Sequence, residues 1–584
     1  MKRPLTALAA AAITVAGVLC PLHAEKRQVK VRIIETSDVH GNFFPYDFIN
    51  RQGGTGSLAR VHSAVEKSRK EVGADNVILV DNGDILQGQP TAYYYNFIDT
   101  TSRHLAAEMM DFMGYDLASL GNHDIETGHE VYDRWIRTSG HPVLGANIID
   151  TKTGRPYVEP YKIIERNGLK IAFLGLITPG IPGWLPENLW EGLRFEEMVP
   201  SARKWINYLR TYEKPDVIVG LFHSGRDHTK TTGDVVENAS VLVAKEVPGF
   251  DVVMMGHDHS KYLDFIKNDA GKTVLVGNPA SNADLLFTVD IEAEIDETGN
   301  VGDLVIKGDV STVNNLPPSQ QFMERFEPQR KAVGDFVGRN IGEFTAEMST
   351  RDAYFGPSAF IDFIHELQLA ISGAQISMAA PLTFDATIPA GEVTVSDMFN
   401  LYKYENMLYT MRLTGQEIKD YLEMSYDLWT QQMKSADDHL LNLRDANASD
   451  MSHTGFRHPS YNFDSAAGII YTVDVTKPKG EKITIISLAD GEPFDTDKEY
   501  TVAINSYRGN GGGNLLTEGA GIAKEDLKGR IISSTDKDLR YYMMKHIEEQ
   551  KTLTPKSLNQ WKFIPEEIAK PAAERDRLLL FNDR

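Results

Sequence analysis

Cysteine is all but missing: Cys20 is the sole one in 584 residues. A disulfide framework is therefore excluded as the device that holds this chain together. Positive charge is also scarce, with 60 Lys and Arg against 82 Asp and Glu and a net charge of −22. Such a surface repels polyanions and excludes duplex nucleic acid as a natural partner. Past the first residues, no apolar run approaches the roughly 20 residues that a membrane-spanning helix needs. The one glycine run, Gly511-Gly512-Gly513, is not followed by Lys-Ser or Lys-Thr, so it is not a phosphate-cradling Walker loop. Internal repeats and extended low-complexity tracts are missing too, which excludes a solenoid or a largely disordered chain.

What is present is an ordinary globular composition, 42% apolar and 24% charged. At roughly 100–200 residues per domain, the length predicts two to four domains. Residues 1–24 read as a secretory signal: Lys2 and Arg3, an uncharged apolar run from Leu5 to Leu19, then Leu22-His23-Ala24 before the charged Glu25-Lys26-Arg27. Leu19 ahead of Cys20 argues against a lipoprotein site. We expect cleavage after Ala24, a periplasmic or secreted protein, a mature chain with no transmembrane segment, and a monomer.

From Val29 onward, short β-branched runs alternate with helical patterns. The spacing predicts strands at Val29–Thr36, Val77–Val80, Lys170–Ile177, Asp216–Leu221 and Phe250–Met255. It predicts helices over 57–72 and from about Ser102 to Met113, the latter stopped by Gly114. This alternation argues for a layered α/β domain over 25–313. Asn314-Asn315-Leu316-Pro317-Pro318 interrupts it, and a charged helical segment from Ser319 to about Val333, ended by Gly334, reads as a linker over 314–344. A second α/β domain over 345–584 restarts with a helix at Phe360–Ile371. Its strands are expected at Gln375–Ala379, Ile469–Val475, Ile483–Leu488 and Glu499–Asn505. The polar stretch Lys434–Ser460 reads as a long surface loop.

Chemistry gathers at the strand ends of the first domain, where open α/β sheets place their ligands. In order come Asp38-Val39-His40, Gly83-Asp84-Ile85-Leu86-Gln87-Gly88, Gly121-Asn122-His123-Asp124, His223 and Gly256-His257-Asp258-His259. Alternate residues of an extended segment point the same way, so Asp38 and His40 are expected to face one ion. A lone strand-end histidine is usually a surface or capping residue, but the ordered set of five is not so explained. Mixed carboxylate and imidazole donors suit Zn²⁺, Mn²⁺ or Fe rather than Ca²⁺. Two ions need about seven or eight ligands with one carboxylate bridging, and such a pair clamps an in-line displacement at phosphorus.

This order of motifs resembles the calcineurin-like metallophosphoesterases, and the Gln-Gly after Asp84 resembles their 5′-nucleotidase and 2′,3′-cyclic-nucleotide 2′-phosphodiesterase group. In the second half, Ile388–Thr394, Leu401-Tyr402-Lys403-Tyr404-Glu405-Asn406, Tyr461-Asn462-Phe463-Asp464 and Tyr507–Gly513 resemble its nucleotide-binding domain. The resemblance implies a four-layer α/β metallophosphoesterase domain joined by a helical linker to a smaller α/β 5′-nucleotidase C-terminal domain. It implies two divalent metal ions (Mn, Zn or Co), one held by Asp38, His40, Asp84 and His259, the other by Asp84, Asn122, His223 and His257. His123 would stabilise charge on the phosphoryl group or the leaving oxygen. The slot that orients this histidine holds Glu126 in place of the usual Asp, and Asp124 is the nearer acid, either catalytic or a loop cap. Tyr404 and Tyr507 would sandwich a nucleobase, with Asn406 at its edge.

Two departures bear on substrate. Strict 5′-nucleotidases of the group grip phosphate with arginines, whereas Ala380-Pro381-Leu382-Thr383-Phe384-Asp385 has none, and Gly513 stands where an acid would close the glycine loop. Glu237-Asn238-Ala239 also resembles the cyclic-phosphodiesterase and 3′-nucleotidase branch. The glycine run is expected to let backbone approach the ligand, and Arg351 and Arg508 are either phosphate contacts or surface cations. The expected activity is hydrolysis of 2′,3′-cyclic nucleotides and 3′-nucleotides. The alternatives are a 5′-nucleotidase or UDP-sugar diphosphatase, and, in another class, a non-catalytic nucleotide-binding surface protein. With base and metal sites on different domains, a hinge is expected between Ser319 and Phe344.

Overall fold

The computed structural model describes residues 26–226, 235–444 and 455–581. The expected signal over 1–24 lies outside them. Among the described residues no helix is long and apolar enough to cross a membrane.

The first half is two six-stranded sheets packed face to face. One runs in the order 305–312, 285–295, 27–36, 77–81, 117–119, 143–144, the other 261–267, 273–279, 252–255, 217–223, 169–177, 161–166. Arg27–Thr36 pairs in parallel with Val77–Asp81, and Val217–His223 in parallel with Leu169–Ile177 and Val252–Met255. Near-continuous β-branched runs such as Val77–Asp81 are buried on both faces, as central parallel strands must be. Val31, Ile33, Val80, Phe173, Val219 and Met254 fill the space between the sheets. Helices cover both outer faces, giving four layers. The helix Leu58–Val72 starts where Ser57 accepts the N–H of Arg60, and Leu105–Met113 stops at Gly114 in the left-handed region, φ 73°.

Gly334 does not end the linker helix as expected. Helices run over Gln320–Arg325 and Glu327–Val337, the second through Gly334 to Gly338. Phe322, Phe326, Val333 and Val337 sink into the first half's core, and tertiary packing there outweighs the modest helix penalty of one glycine.

The second half centres on a five-stranded sheet, 465–467, 376–379, 499–505, 407–414, 531–538, with flanking three-stranded sheets. The helix Ala359–Ser372 is capped by Ser358 and stops at Gly373; Gly415–Trp429 opens with a Thr414–Glu417 capping box. Of the stretch Lys434–Ser460, expected as a surface loop, residues 445–454 lie outside the described residues and 434–439 are exposed or half-buried, but the described parts beside them are anchored in the core. Leu440, Leu441 and Phe456 are fully buried in the second core, and His439 and Leu441 bond to Asp576 of the C-terminal helix. A few apolar residues spaced among polar ones are enough to pin it.

The halves touch directly. Arg51 donates to Ser396 Oγ, Lys528 pairs with Glu187, and the ring of Tyr93 lies under the guanidinium of Arg540 at 5.1 Å.

Candidate active site

The strand-end motifs converge at one end of the first half. Asp38 and His40 come together differently from the expectation. Their strand ends at Thr36, and both residues adopt left-handed backbone, φ 51° and 48°. The turn is fixed by Asp38 N–H to Gly83 O and His40 N–H to Asp84 O, each 2.9 Å. Asp84, His257 and His259 are left-handed too, φ 59°, 75° and 54°. Such conformations are costly for side-chain-bearing residues and persist where the surroundings over-determine them.

Two donor groups result. Asp38, His40 and His259 form one, Asp84, His223 and His257 the other, with donor atoms in each within 4.8 Å of one another. His259 Nε2 lies 3.0 Å from His40 Nε2 and 3.2 Å from Asp38 Oδ1. His223 Nε2 lies 3.1 Å from both Asp84 Oδ2 and Asn122 Oδ1, and Asn122 Oδ1 is 2.8 Å from His257 Nδ1. Asn122 Oδ1 thus lies against both histidines of the second group.

These residues fit divalent cations. Imidazole nitrogens 3.0 Å apart need a proton or a cation between their lone pairs. Asp84 Oδ2 is buried without a hydrogen bond, its neighbour being the imidazole of His223. Packing is tight around them. A Cβ on Gly121 would sit 2.1 Å from Asp84 Oδ1, and one on Gly256 2.9 Å from Asp38 Oδ2. Burial lowers His40 to a pKa of about 3. For Asp38 burial is outweighed by His223 and His259, and the acid is held at about 2. Burial is likewise outweighed at His223, where Asp84 and Asp38 raise it to about 10.

Around the groups, the predicted catalytic residues divide. His123 donates its backbone N–H to Asp84 Oδ1 at 2.8 Å, and its Nδ1 meets Glu126 Oε2 at 2.5 Å. The longer side chain in that slot does reach the histidine. Against burial, Asp84 and Glu126 raise His123 to about 9. Asp124 is fully buried and accepts backbone N–H groups from Asp84, Ile85, Leu86 and Gly121 at 2.8–3.0 Å. Its contacts are those of a clamp between two loops, not of a group that touches substrate.

A cavity of about 330 Å³ opens beside the second group, lined from both halves of the chain. His123, Glu126 and His257 share it with Tyr404, Asn406 and Tyr507. Tyr404 and Asn406 precede the strand Met407–Thr414, and Tyr507 sits on the short helix Ser506–Gly509, capped by Asn505. Sequence reasoning missed other lining residues. Trp184 stacks on His257 at 5.7 Å, Tyr461 stands perpendicular to Tyr507 at 6.2 Å, and Glu237 Oε1 meets His257 Nε2 at 2.9 Å. Tyr461 and Glu237 lie in quoted motifs and so left a signal. Trp184 left none. Glu405, between Tyr404 and Asn406, also lines the cavity, and burial pushes its carboxyl up to about 7.

Neither candidate arginine is free for phosphate. Arg508 is 1% exposed and donates to Asp464, Asn462 and the carbonyls of Tyr461 and Gly512. Arg351 makes a forked pair with Asp385. The glycine run makes room for protein rather than ligand: a Cβ on Gly513 would lie 2.1 Å from Arg508 Nη1, and one on Gly512 2.6 Å from the Tyr507 ring.

Residues 31–261 match the family model of the calcineurin-like phosphoesterases, and 339–518 that of the 5′-nucleotidase C-terminal domain. The chain is 28% identical over 93% of its length to the trifunctional nucleotide phosphoesterase protein YfkN of Bacillus subtilis, spanning 40% of that protein. It is 26% identical over 96% of its length to a 2′,3′-cyclic-nucleotide 2′-phosphodiesterase/3′-nucleotidase of Yersinia enterocolitica, spanning 92% of it. Its fold is similar to that of a Staphylococcus aureus protein solved in complex with alpha-ketoglutarate, with TM-score 0.75, 21% identity, and coverage of 92% of this chain and 100% of the other.

Proposed function

Because the chain belongs to the calcineurin-like phosphoesterases with a 5′-nucleotidase C-terminal domain, and is a phosphoric ester hydrolase, we propose that it hydrolyses nucleotides, with 2′,3′-cyclic nucleotides and 3′-nucleotides preferred. The observation that carries this reading is one cavity holding His123 beside the donor groups and Tyr404, Asn406 and Tyr507 opposite. Aromatic side chains accept any base face, and stacking is worth about 1–3 kcal/mol per base. The preference for cyclic and 3′ substrates is supported by the name of the Yersinia relative and by a cavity wall without arginine among the described residues.

Asp38, His40, Asp84 and His259 would hold one divalent cation (Mn, Zn or Co), and Asp84, Asn122, His223 and His257 a second. When bound, such ions supply Lewis acidity at phosphorus and ionise a water near neutral pH. The chain's own groups do the rest. Glu126 accepts the Nδ1 proton of His123, which directs Nε2–H toward the cavity. From there His123 hydrogen-bonds a phosphoryl or leaving oxygen as charge grows on it. Asp124 keeps the loop of Asp84 seated against that of His123. Tyr404 and Tyr507 bracket the base, Asn406 reads its edge, and Trp184 covers the imidazole of His257. The domain division belonging to this reading is 25–313, 314–344 and 345–584, on an exported chain cut after Ala24.

The test is a substrate panel on the chain from Glu25: 2′,3′-cyclic AMP, 3′-AMP, 5′-AMP, UDP-glucose and bis-p-nitrophenyl phosphate, each with Mn²⁺, Zn²⁺, Co²⁺ or EDTA. Metal-dependent turnover led by the cyclic and 3′ substrates is expected. Turnover led by 5′-AMP or UDP-glucose would defeat the preference, and nucleotide binding with no hydrolysis would defeat the nucleotide-hydrolase reading.

A further inference from the structure

Three of the four donor histidines have their outward nitrogen taken. His40 Nδ1 faces the carbonyl of Gln87 at 3.1 Å, and His223 Nδ1 that of Asn82 at 2.6 Å. A carbonyl only accepts, so both rings carry a proton on Nδ1 and turn the Nε2 lone pair toward their donor group. His257 is held the other way round. Its Nε2 meets Glu237 Oε1 at 2.9 Å, which leaves Nδ1, 2.8 Å from Asn122 Oδ1, to face the group. His259 is the exception: its side chain is 46% exposed, and its close polar contacts, with His40 and Asp38, are both on Nε2. Glu237 is itself firmly placed. Ser224 Oγ donates to the carbonyl of Glu237 at 2.7 Å and accepts the N–H of Ala239 at 2.9 Å. Asn238 Oδ1 accepts the N–H of Gly225 at 3.0 Å, and Ser240 Oγ donates to the carbonyl of Ser224 at 2.7 Å. Ser224 and Gly225 directly follow His223. The carboxylate is therefore stitched to the backbone beside one donor histidine and bonded to the ring of another, while Trp184 packs on the face of that ring.

Resting on the two-cation part of the proposed function, we propose that Glu237 is a positioning residue that makes the second donor group the tighter one. Divalent cations then load in order, first at Asp84, Asn122, His223 and His257, and afterwards at Asp38, His40 and His259. A neutral imidazole offers a lone pair on one nitrogen only while its proton sits on the other. Glu237 fixes both the proton and the rotation of the His257 ring. A carboxylate does this more firmly than a carbonyl, because the charge-assisted hydrogen bond is the stronger, and it makes the ring a better donor. The first group has no such hold on His259. That ring has to be ordered when a cation arrives, at a cost in side-chain entropy that the second group has already met on folding.

The test is bound Mn²⁺ per chain, by equilibrium dialysis of the loaded chain from Glu25 against free Mn²⁺ graded with a chelate buffer. The proteins are the native chain, Glu237→Leu, Glu237→Gln and His259→Ala. The native chain should lose its ions in two steps whose dissociation constants differ by about tenfold or more. Glu237→Leu should weaken the tighter step by about 10- to 100-fold, and Glu237→Gln, which keeps an acceptor without the charge, by less. His259→Ala should weaken the looser step alone, which assigns the steps to the groups. A merely structural role for Glu237 would weaken both steps together or neither. Native steps within about threefold of each other overturn the proposal, as does a tighter step that Glu237→Leu leaves within about threefold of native. Loss of the tighter step in His259→Ala overturns it as well. Should Glu237→Leu not fold, Glu237→Gln decides by the same threshold. The two-cation reading fails separately, if one ion binds rather than two. The hold of Glu237 on His257 is then judged on that single step, and an absence of saturable binding overturns both.

Discussion

In the first half, Asp38, His40, Asp84, His257 and His259 all hang from left-handed backbone, whereas none of Tyr404, Asn406 and Tyr507 in the second half has a positive φ. The first half holds its side chains with backbone hydrogen bonds and with glycines at which an added Cβ would fall within 3 Å of a neighbour. The second props its aromatic surface on buried ion pairs, Arg508 with Asp464 and Arg540 with Glu405. The difference follows from the task. Donor atoms that must meet a cation tolerate displacements of a few tenths of an ångström, and strain is accepted to hold them there. A flat ring that receives a base needs orientation over a broader surface, which ordinary backbone on a firm support provides.

If the halves divide the work in this way, damage to each should read out differently. The largest effect is expected from Asp84→Asn, which should lower kcat by about 10³-fold or more, as for loss of a central electrostatic group. Steady-state rates with added metal, together with metal content of the purified variant, check it; retained turnover would mean that the donor groups are not the reaction centre. Next comes Tyr404→Ala. It should raise KM for 3′-AMP about tenfold or more, the equivalent of roughly 1–3 kcal/mol of stacking. Hydrolysis of p-nitrophenyl phosphate, which has no base, should stay unchanged, and a parallel loss on both substrates would erase the division between halves.

The smallest expected effect compares how the halves stand acid. His365 lies buried between Ser377 and Ser465, and His104 is buried beside Asn96; burial lowers both to about 3. Both folded values lie below the unfolded value, so the unfolded chain takes up protons first. Stability from these groups is full above about pH 6.5 and is lost as pH falls toward 3, about 1 kcal/mol per group at pH 6. His365→Asn should flatten the fall in melting temperature between pH 7 and 5.5 for the second half, and His104→Asn for the first. A slope that neither variant alters would place the acid sensitivity elsewhere.

Much of this was legible because the parallel strands are nearly continuous apolar runs and because most donor motifs stand at the end of one. The glycines around Asp84 and His257 were visible too, and the structure gives their reason in atoms. The way Asp38 and His40 converge was not legible: alternation along a strand predicts their common direction, but the strand stops at Thr36 and a left-handed turn does the aiming. Asp124 looks from sequence like an acid beside a histidine, and only its four backbone donors reveal a clamp. Trp184 carries no local pattern, since what places it in the cavity is the meeting of two distant parts of the chain. The core role of Leu440, Leu441 and Phe456 was hidden by the polar residues around them.

The nitrogens of His40 and His259, 3.0 Å apart in space, are separated by 219 residues of chain. A cation held between them would fasten the first strand's end to the last turn of the donor set and enclose most of the domain in one loop. Closing so long a loop withdraws a large share of the unfolded chain's freedom. In a protein whose described residues include no cysteine, such an ion would be a clasp as well as a reagent, and a chelator would then do to this fold what a reductant does to a disulfide-bonded one.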